Sequence, residues 1–188
     1  MAVEGLVLVC GGSRSGKSRW AEHLAASSGR PVLYVATAAL RPEDPSWCER
    51  LDRHRQRRPS SWGCLEVEGG LSEALQELQR PGDPQGDHLL LIDALGTWLA
   101  HHLDADPARW QHLQQELLAA LARHRAPILL VCEEVGLGVV PPTAIGNRFR
   151  DRLGELNQRL MAQSQDSWLV VAGRALNLHA LAVSVPET

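Results

Sequence analysis

Residues Gly11-Gly12-Ser13-Arg14-Ser15-Gly16-Lys17-Ser18 spell G-x-x-x-x-G-K-[ST], the P-loop that wraps polyphosphates in backbone amides. Just before it stands Leu6-Val7-Leu8-Val9-Cys10, an apolar run suited to a buried parallel strand. Just after it, residues 18–26 carry a helical pattern. The chemistry needs this order of strand, glycine loop and helix. The glycines let backbone N–H groups turn toward one point, and the helix N-terminus adds partial positive charge there.

Lys17 is the only lysine in 188 residues, and every other member of the 19 Lys and Arg is arginine. A compact ammonium on a flexible stem fits among phosphate oxygens as a point charge, where a planar fork does not. The chain is therefore expected to bind a nucleoside triphosphate. Lys17 would grip phosphate oxygens, and the Ser18 hydroxyl would hold Mg²⁺. The same scarcity of lysine excludes the Asn-Lys-x-Asp base-reading motif of ordinary GTPases, and it disfavours a conventional GTPase switch.

Apolar runs recur near residues 32–36, 89–92, 128–132 and 168–172, with helical patterns between them. Asp106-Pro107 signals a helix start, and Trp110, Leu113, Leu117 and Leu121 follow at helical spacing. Phe149, Leu153, Leu156 and Leu160 repeat that spacing in a further helix. Alternation of this kind predicts an α/β fold: a mostly parallel sheet flanked by helices, of P-loop NTPase (RecA-like) architecture. One domain over residues 1–188 is expected, with a flexible tail at 178–188. Ligands in such sheets sit at the carboxyl ends of the strands, which gathers residues 11–18, Thr37, Asp93 and Glu133-Glu134 on one edge. Two stretches break the rhythm: the arginine-rich 41–62 and the Gly/Pro loop 133–142.

Charge and cysteine usage narrow the partners. A net charge of −3 argues against a general nucleic-acid binder. The four cysteines show no metal-ligand or C-x-x-C spacing and read as reduced thiols of a cytoplasmic protein. No apolar run is long enough to span a membrane.

Two further sites carry chemistry. Leu89-Leu90-Leu91-Ile92-Asp93 is a strand ending in a carboxylate, which either assists a Mg²⁺ site beside the P-loop or caps the next turn. Arg50-Leu51-Asp52-Arg53-His54-Arg55-Gln56-Arg57-Arg58 surrounds one histidine with arginines. Charge alone favours a solvated basic helix face. The sharper reading is a triphosphate clamp around a nucleophile, since neutral imidazole has a lone pair able to attack phosphorus.

Together the motifs resemble one family. They are Gly-Gly-x-Arg-Ser-Gly-Lys-Ser-Arg, Val-Ala-Thr after the second strand, Arg-x-x-x-His-x-x-x-Arg-Pro-x-x-Trp, Glu-Val-Gly-Leu-Gly-x-Val-Pro and Arg-Phe-Arg-Asp. The family is the bifunctional adenosylcobinamide kinase / adenosylcobinamide-phosphate guanylyltransferase of cobalamin biosynthesis. The resemblance implies two reactions. ATP or GTP phosphorylates the aminopropanol hydroxyl of adenosylcobinamide. A histidine then attacks the α-phosphate of GTP, and the guanylyl-histidine passes GMP to adenosylcobinamide phosphate. The resemblance places that histidine at His54. It also implies that Gly11, Gly12, Ser13, Arg14, Ser15, Gly16, Lys17 and Ser18 grip phosphates. Thr37, Ala38, Ala39, Arg55, Gln56, Arg57, Arg58, Glu66 and Asp93 match positions lining the nucleotide site. Glu66 is either a reader of the guanine N1–H and N2–H₂ edge or an exposed strand residue. A homotrimer is implied as well.

The chain departs from the family pattern in places. Ala94 and His101-His102 stand where Cys and Asn are usual, Glu133 where Asn is common, and Pro142 where Glu is common. Adjacent histidines point to different helix faces, which weighs against His101-His102 as a metal pair. Two other functions stay open on sequence alone: a simple small-molecule kinase, and a nucleotide-dependent regulatory or assembly protein.

Overall fold

In the computed structural model, which describes residues 3–39, 43–79 and 87–186, seven strands form one sheet. The elements run β1 (Leu6–Gly11), α1 (Lys17–Ser27), β2 (Val32–Ala36), α2 (Pro45–Arg57), β3 (Gly63–Glu66), α3 (Leu71–Glu77) and β4 (Leu89–Asp93). They continue with α4 (Leu95–His101), α5 (Pro107–Arg123), β5 (Ile128–Glu133), α6 (Ala144–Gln163), β6 (Asp166–Val171), β7 (Arg174–Asn177) and α7 (Leu178–Leu181). The strand order is β3-β2-β4-β5-β1-β6-β7, and only β7 runs antiparallel to its neighbour. The mostly parallel α/β sheet read from the sequence is thus present.

Alternation along β1 divides the core. Leu6, Leu8 and Cys10 face a layer built from α3, α4, α5 and α6, whose Leu75, Trp98, Leu117 and Leu156 are fully buried. Val7 and Val9 face the other way, toward Ala21, Leu24 and Ala25 of α1. A parallel strand covered on both faces has no polar side to show, so these strands read as continuous apolar runs. Each fully buried leucine contributes roughly 1.5–3 kcal/mol relative to exposure. The α6 spacing holds as expected, with Leu153, Leu156 and Leu160 at 0% exposure.

Three expectations need correcting. The arginine-rich stretch is not irregular: from Pro45 to Arg57 it is helix α2. Asp44 caps it by accepting from the Trp47 N–H at 3.1 Å, and Pro45 occupies the first turn, where its missing N–H costs nothing. Residues 41 and 42 lie outside the described residues. The segment expected as a loose tail begins with the helical turn α7. Asn177 caps that turn through the Ala180 N–H at 2.9 Å, and His179 Nδ1 reaches Ser167 Oγ at 2.9 Å. Strands β3 and β7, four residues each, had no apolar run to announce them.

Register sets the functional edge. Gly11 pairs with Glu133, Ala36 with Asp93, and Ala36 with Glu66. The P-loop and three carboxylates therefore emerge side by side at the carboxyl ends of adjacent strands.

Candidate active site

The loop after β1 is built by its glycines and one serine. Gly16 sits at φ 104° as the N-cap of α1, a backbone conformation that side chains rarely adopt. A Cβ on Gly11 would fall 2.5 Å from the Val170 carbonyl. Ser15 is buried; its Oγ accepts from the Lys17 N–H at 3.3 Å, and its own N–H donates to the Gly12 carbonyl at 3.3 Å. Lys17 is only 6% exposed, and its Nζ donates to the Gly12 carbonyl at 3.3 Å. The ammonium is thus folded back along the loop. Ser13 and Arg14 stand exposed at its tip.

Across from the loop lies the last turn of α2. His54 Nδ1 is 3.5 Å from Asp93 Oδ2, and Tyr34 donates its hydroxyl to the same oxygen at 2.8 Å. Burial pushes the Asp93 carboxyl up, but hydrogen bonding and charge from His54, backed by Tyr34 and Lys17, outweigh it. Asp93 titrates below the ordinary carboxylate range. The Tyr34 phenol is driven up, first by burial and then by the Asp93 charge. The Arg58 guanidinium lies over the Tyr34 ring at 3.5 Å from its centroid. Arg57 Nη2 bonds Glu22 Oε1 at 3.1 Å and passes 3.4 Å from His54 Nδ1. Glu22 is raised by burial, with Arg57 opposing.

One cavity of about 50 Å³ collects this chemistry. Lys17, Ser18, His54, Arg58, Asp93 and Glu133 line it, with Tyr34, Ala38, Trp47 and Thr97 among the others. Of the residues expected from the sequence, Lys17, Ser18, Ala38, His54, Arg58 and Asp93 therefore meet there. Others do not. Arg55 points away and donates to Glu66 Oε1 at 3.0 Å, with both side chains exposed. Gln56 is exposed outside the cavity. Thr37 is 1% exposed, and its hydroxyl is spent on Ala94, donating to the carbonyl at 2.6 Å and accepting from the N–H at 2.9 Å. It fixes the turn between β4 and α4. Ala39 serves through its carbonyl, which accepts from Trp47 Nε1 at 2.9 Å and ties α2 down.

Tyr34 and Glu22 are the residues that sequence reasoning passed over, and Glu133 was placed on the ligand edge without a role. Glu133 ends β5 between the Asp93 strand and the P-loop strand. Its Oε2 accepts from the Gly96 N–H at 2.8 Å. Burial raises its carboxyl, the Lys17 charge opposes, and Asp93 adds to the rise. The position of β5 in the sheet was the signal that could have given it one. His102, by contrast, acts locally, with its Nε2 3.0 Å from the Gly69 carbonyl. Among the described residues no group of three or more His, Cys, Asp or Glu is placed to hold a metal ion, and no helix is long and apolar enough to cross a membrane.

Sheet order, cradle and buried lysine define a P-loop nucleotide-binding protein. A solved ATPase from the type III secretion system of pathogenic bacteria shares the fold, with a TM-score of 0.58 at 10% identity over 97% of this chain and 59% of that one. The family model described as cobinamide kinase / cobinamide phosphate guanyltransferase matches residues 7–178, and the chain belongs to that family. Its sequence is 36% identical over 182 residues to the bifunctional adenosylcobalamin biosynthesis protein CobU of Escherichia coli (strain K12), spanning 89% of this chain and 96% of that protein. It is 38% identical over 172 residues to the bifunctional adenosylcobalamin biosynthesis protein CobP of Pseudomonas aeruginosa PAO1, spanning 91% and 95%.

Proposed function

We propose that the chain is a bifunctional enzyme of cobalamin biosynthesis that phosphorylates adenosylcobinamide and then transfers GMP through a guanylyl intermediate on His54. The observation that carries this reading is the contact of His54 Nδ1 with Asp93 Oδ2 inside the P-loop cavity. A solvated basic helix face would leave the ring in water. Here the Asp93 carboxylate is the acceptor beside Nδ1, since the neighbouring Arg57 guanidinium can only donate. A proton on Nδ1 leaves the Nε2 lone pair free for in-line attack on an α-phosphate. Bond formation from Nε2 to phosphorus breaks the bond to the α–β bridging oxygen, and pyrophosphate departs. The GMP is then handed to the phosphate of the second substrate.

The same cradle suits ATP and GTP as phosphoryl donors. Lys17 and the 11–18 amides hold phosphates, and Arg58 is released from Tyr34 to join them. Mg²⁺ fits this site by its donor chemistry: the Ser18 hydroxyl and the Asp93 carboxylate face one cavity, and a hard cation needs only such oxygens plus phosphates and water. When bound, it would offset phosphate charge. Glu66 reads guanine only after Arg55 lets it go.

A homotrimer is also proposed. Leu137, Val139 and Val140 of the loop after β5 are 82%, 94% and 62% exposed, and Ile145 at the start of α6 is 52% exposed. They flank a groove of about 390 Å³ lined by Leu103, Val135, Pro141 and Phe149. A contiguous apolar surface of this kind fits a covering copy of the same chain.

The test is incubation with α-labelled GTP. Protein-bound label that withstands base and is released by acid is expected in the native chain and not in His54→Ala. Undiminished labelling of that variant overturns the assignment. No adduct in the native chain under any condition favours a kinase without guanylyl transfer.

A further inference from the structure

We propose that Glu133 is the general base of the phosphoryl-transfer reaction, taking the proton from the acceptor alcohol as it attacks the γ-phosphate. The inference rests on the kinase half of the function proposed above. The alcohol loses a proton as its oxygen bonds to phosphorus, and a carboxylate with a free lone pair at the cavity wall is placed to take it. Only two carboxylates line that wall among the described residues, Asp93 and Glu133.

Asp93 is already committed. Its Oδ2 receives Tyr34 at 2.8 Å and His54 at 3.5 Å, and these interactions hold it ionised and weakly basic. Glu133 differs. Its Oε2 is anchored by the Gly96 N–H at 2.8 Å, the residue's own backbone N–H also supports the carboxylate, and no second residue among those described competes for Oε1. The approach depends on a missing side chain: a Cβ on Gly96 would lie 2.5 Å from Oε2 and 2.8 Å from the carboxyl carbon. Pairing in register with Gly11, the first residue of the P-loop, puts Glu133 beside the phosphates.

Lys17 from the loop and Asp93 from β4 act on Glu133, and His54 of α2 and Arg58 just after it line the same cavity. Burial raises the carboxyl, and the Lys17 ammonium restrains the rise. In the step itself, the alcohol O–H bond breaks to Glu133 Oε1 and the alcohol oxygen bonds to the γ-phosphorus. The bond from that phosphorus to the β–γ bridging oxygen breaks, and the nucleoside diphosphate leaves with the electron pair. Glu133 then returns its proton to water. The family pattern commonly has Asn at this position, which cannot accept a proton. The base is therefore a property of this chain.

The experiment is steady-state phosphorylation of adenosylcobinamide by γ-labelled nucleotide between about pH 5 and 9, using the full chain. For Glu133→Gln we expect kcat to fall by at least about a hundredfold while the nucleotide KM stays within about threefold. The acidic limb of the native pH profile should disappear with it. Gly96→Ala, which keeps the carboxylate but displaces it, should lower kcat and leave the helix intact. A Glu133→Gln enzyme with kcat within about threefold of native, or with its acidic limb unchanged, overturns the proposal. So does loss confined to KM in both variants, which would mark a binding residue. Absence of phosphoryl transfer by the native chain would instead overturn the kinase reading itself.

Discussion

His54 Nδ1 lies 3.5 Å from Asp93 Oδ2, so a histidine on α2 and the carboxylate ending β4 share one wall of a cavity too small for a triphosphate. Asp93→Asn should slow formation of the guanylyl adduct by about thirtyfold, the equivalent of about 2 kcal/mol for a charge-assisted hydrogen bond. Ring ¹⁵N shifts in protein prepared without metal or nucleotide provide the check. Native His54 should hold its proton on Nδ1, and the variant should mix tautomers. An unchanged tautomer balance would separate Asp93 from the histidine.

Lys17 donates one hydrogen bond among the described residues, to the Gly12 carbonyl. Replacing it with alanine should leave the sheet standing and weaken GTP binding by roughly 2–3 kcal/mol, about 30- to 150-fold. Titration calorimetry beside a thermal melt distinguishes the two effects. Native-like affinity in Lys17→Ala would remove the basis for a phosphate site here.

The exposed side chains of Leu137 and Val139 bear on assembly. On the trimer proposed above, the native chain should sediment as three copies and the double variant Leu137→Glu/Val139→Glu as a single copy. If the native chain sediments as one copy at micromolar concentration, the trimer is wrong.

Two histidines make stability depend on pH. Burial lowers both His102 and His124 from the ordinary value of 6.5, against weaker opposition from the Gly69 and Ala126 carbonyls. Below about 6.5 the unfolded chain takes up protons that these two positions in the folded chain resist. Their contribution is complete above that pH and is lost as pH falls from about 6.5 toward the lowered folded values. The melting temperature should decline between about pH 7.5 and 5.5, and His102→Gln/His124→Gln should flatten the decline. The same slope in the double variant would place the titration elsewhere.

Local chemistry was legible wherever a short stretch carried the whole signal. The P-loop, the cap at Asp106 and the apolar spacing of α6 needed no long-range information, because each depends on residues within one or two turns. Helix α2 was read only as a basic face over 50–58; its start went unread although Asp44-Pro45 announced it, since a run of polar and charged positions hid the period. The short strands β3 and β7 were missed because edge pairing, not side-chain pattern, makes them strands.

The arginine-rich segment shows where a linear reading stops. The family resemblance implied that Arg55, Gln56, Arg57 and Arg58 line the nucleotide site together. In the fold, one helical turn sends them to different partners: Glu66, solvent, Glu22 and the Tyr34 ring. Successive helical residues diverge by about 100°, so a charge run cannot act in one direction.

By itself the chain of residues determined that a phosphate cradle must follow the first strand, because glycine, lysine and serine at those spacings serve one geometry. It also determined a sheet buried on both faces, since its strands offer no polar side. Only the tertiary structure decided that β5 lies between β1 and β4. That placement sets Glu133 in one cavity with Lys17 and Asp93; the strand-end rule could gather the three on one edge, but no local pattern encodes the strand order that makes them neighbours. Hydrogen bonding between parallel strands depends on how buried faces pack, and packing is a property of the whole chain.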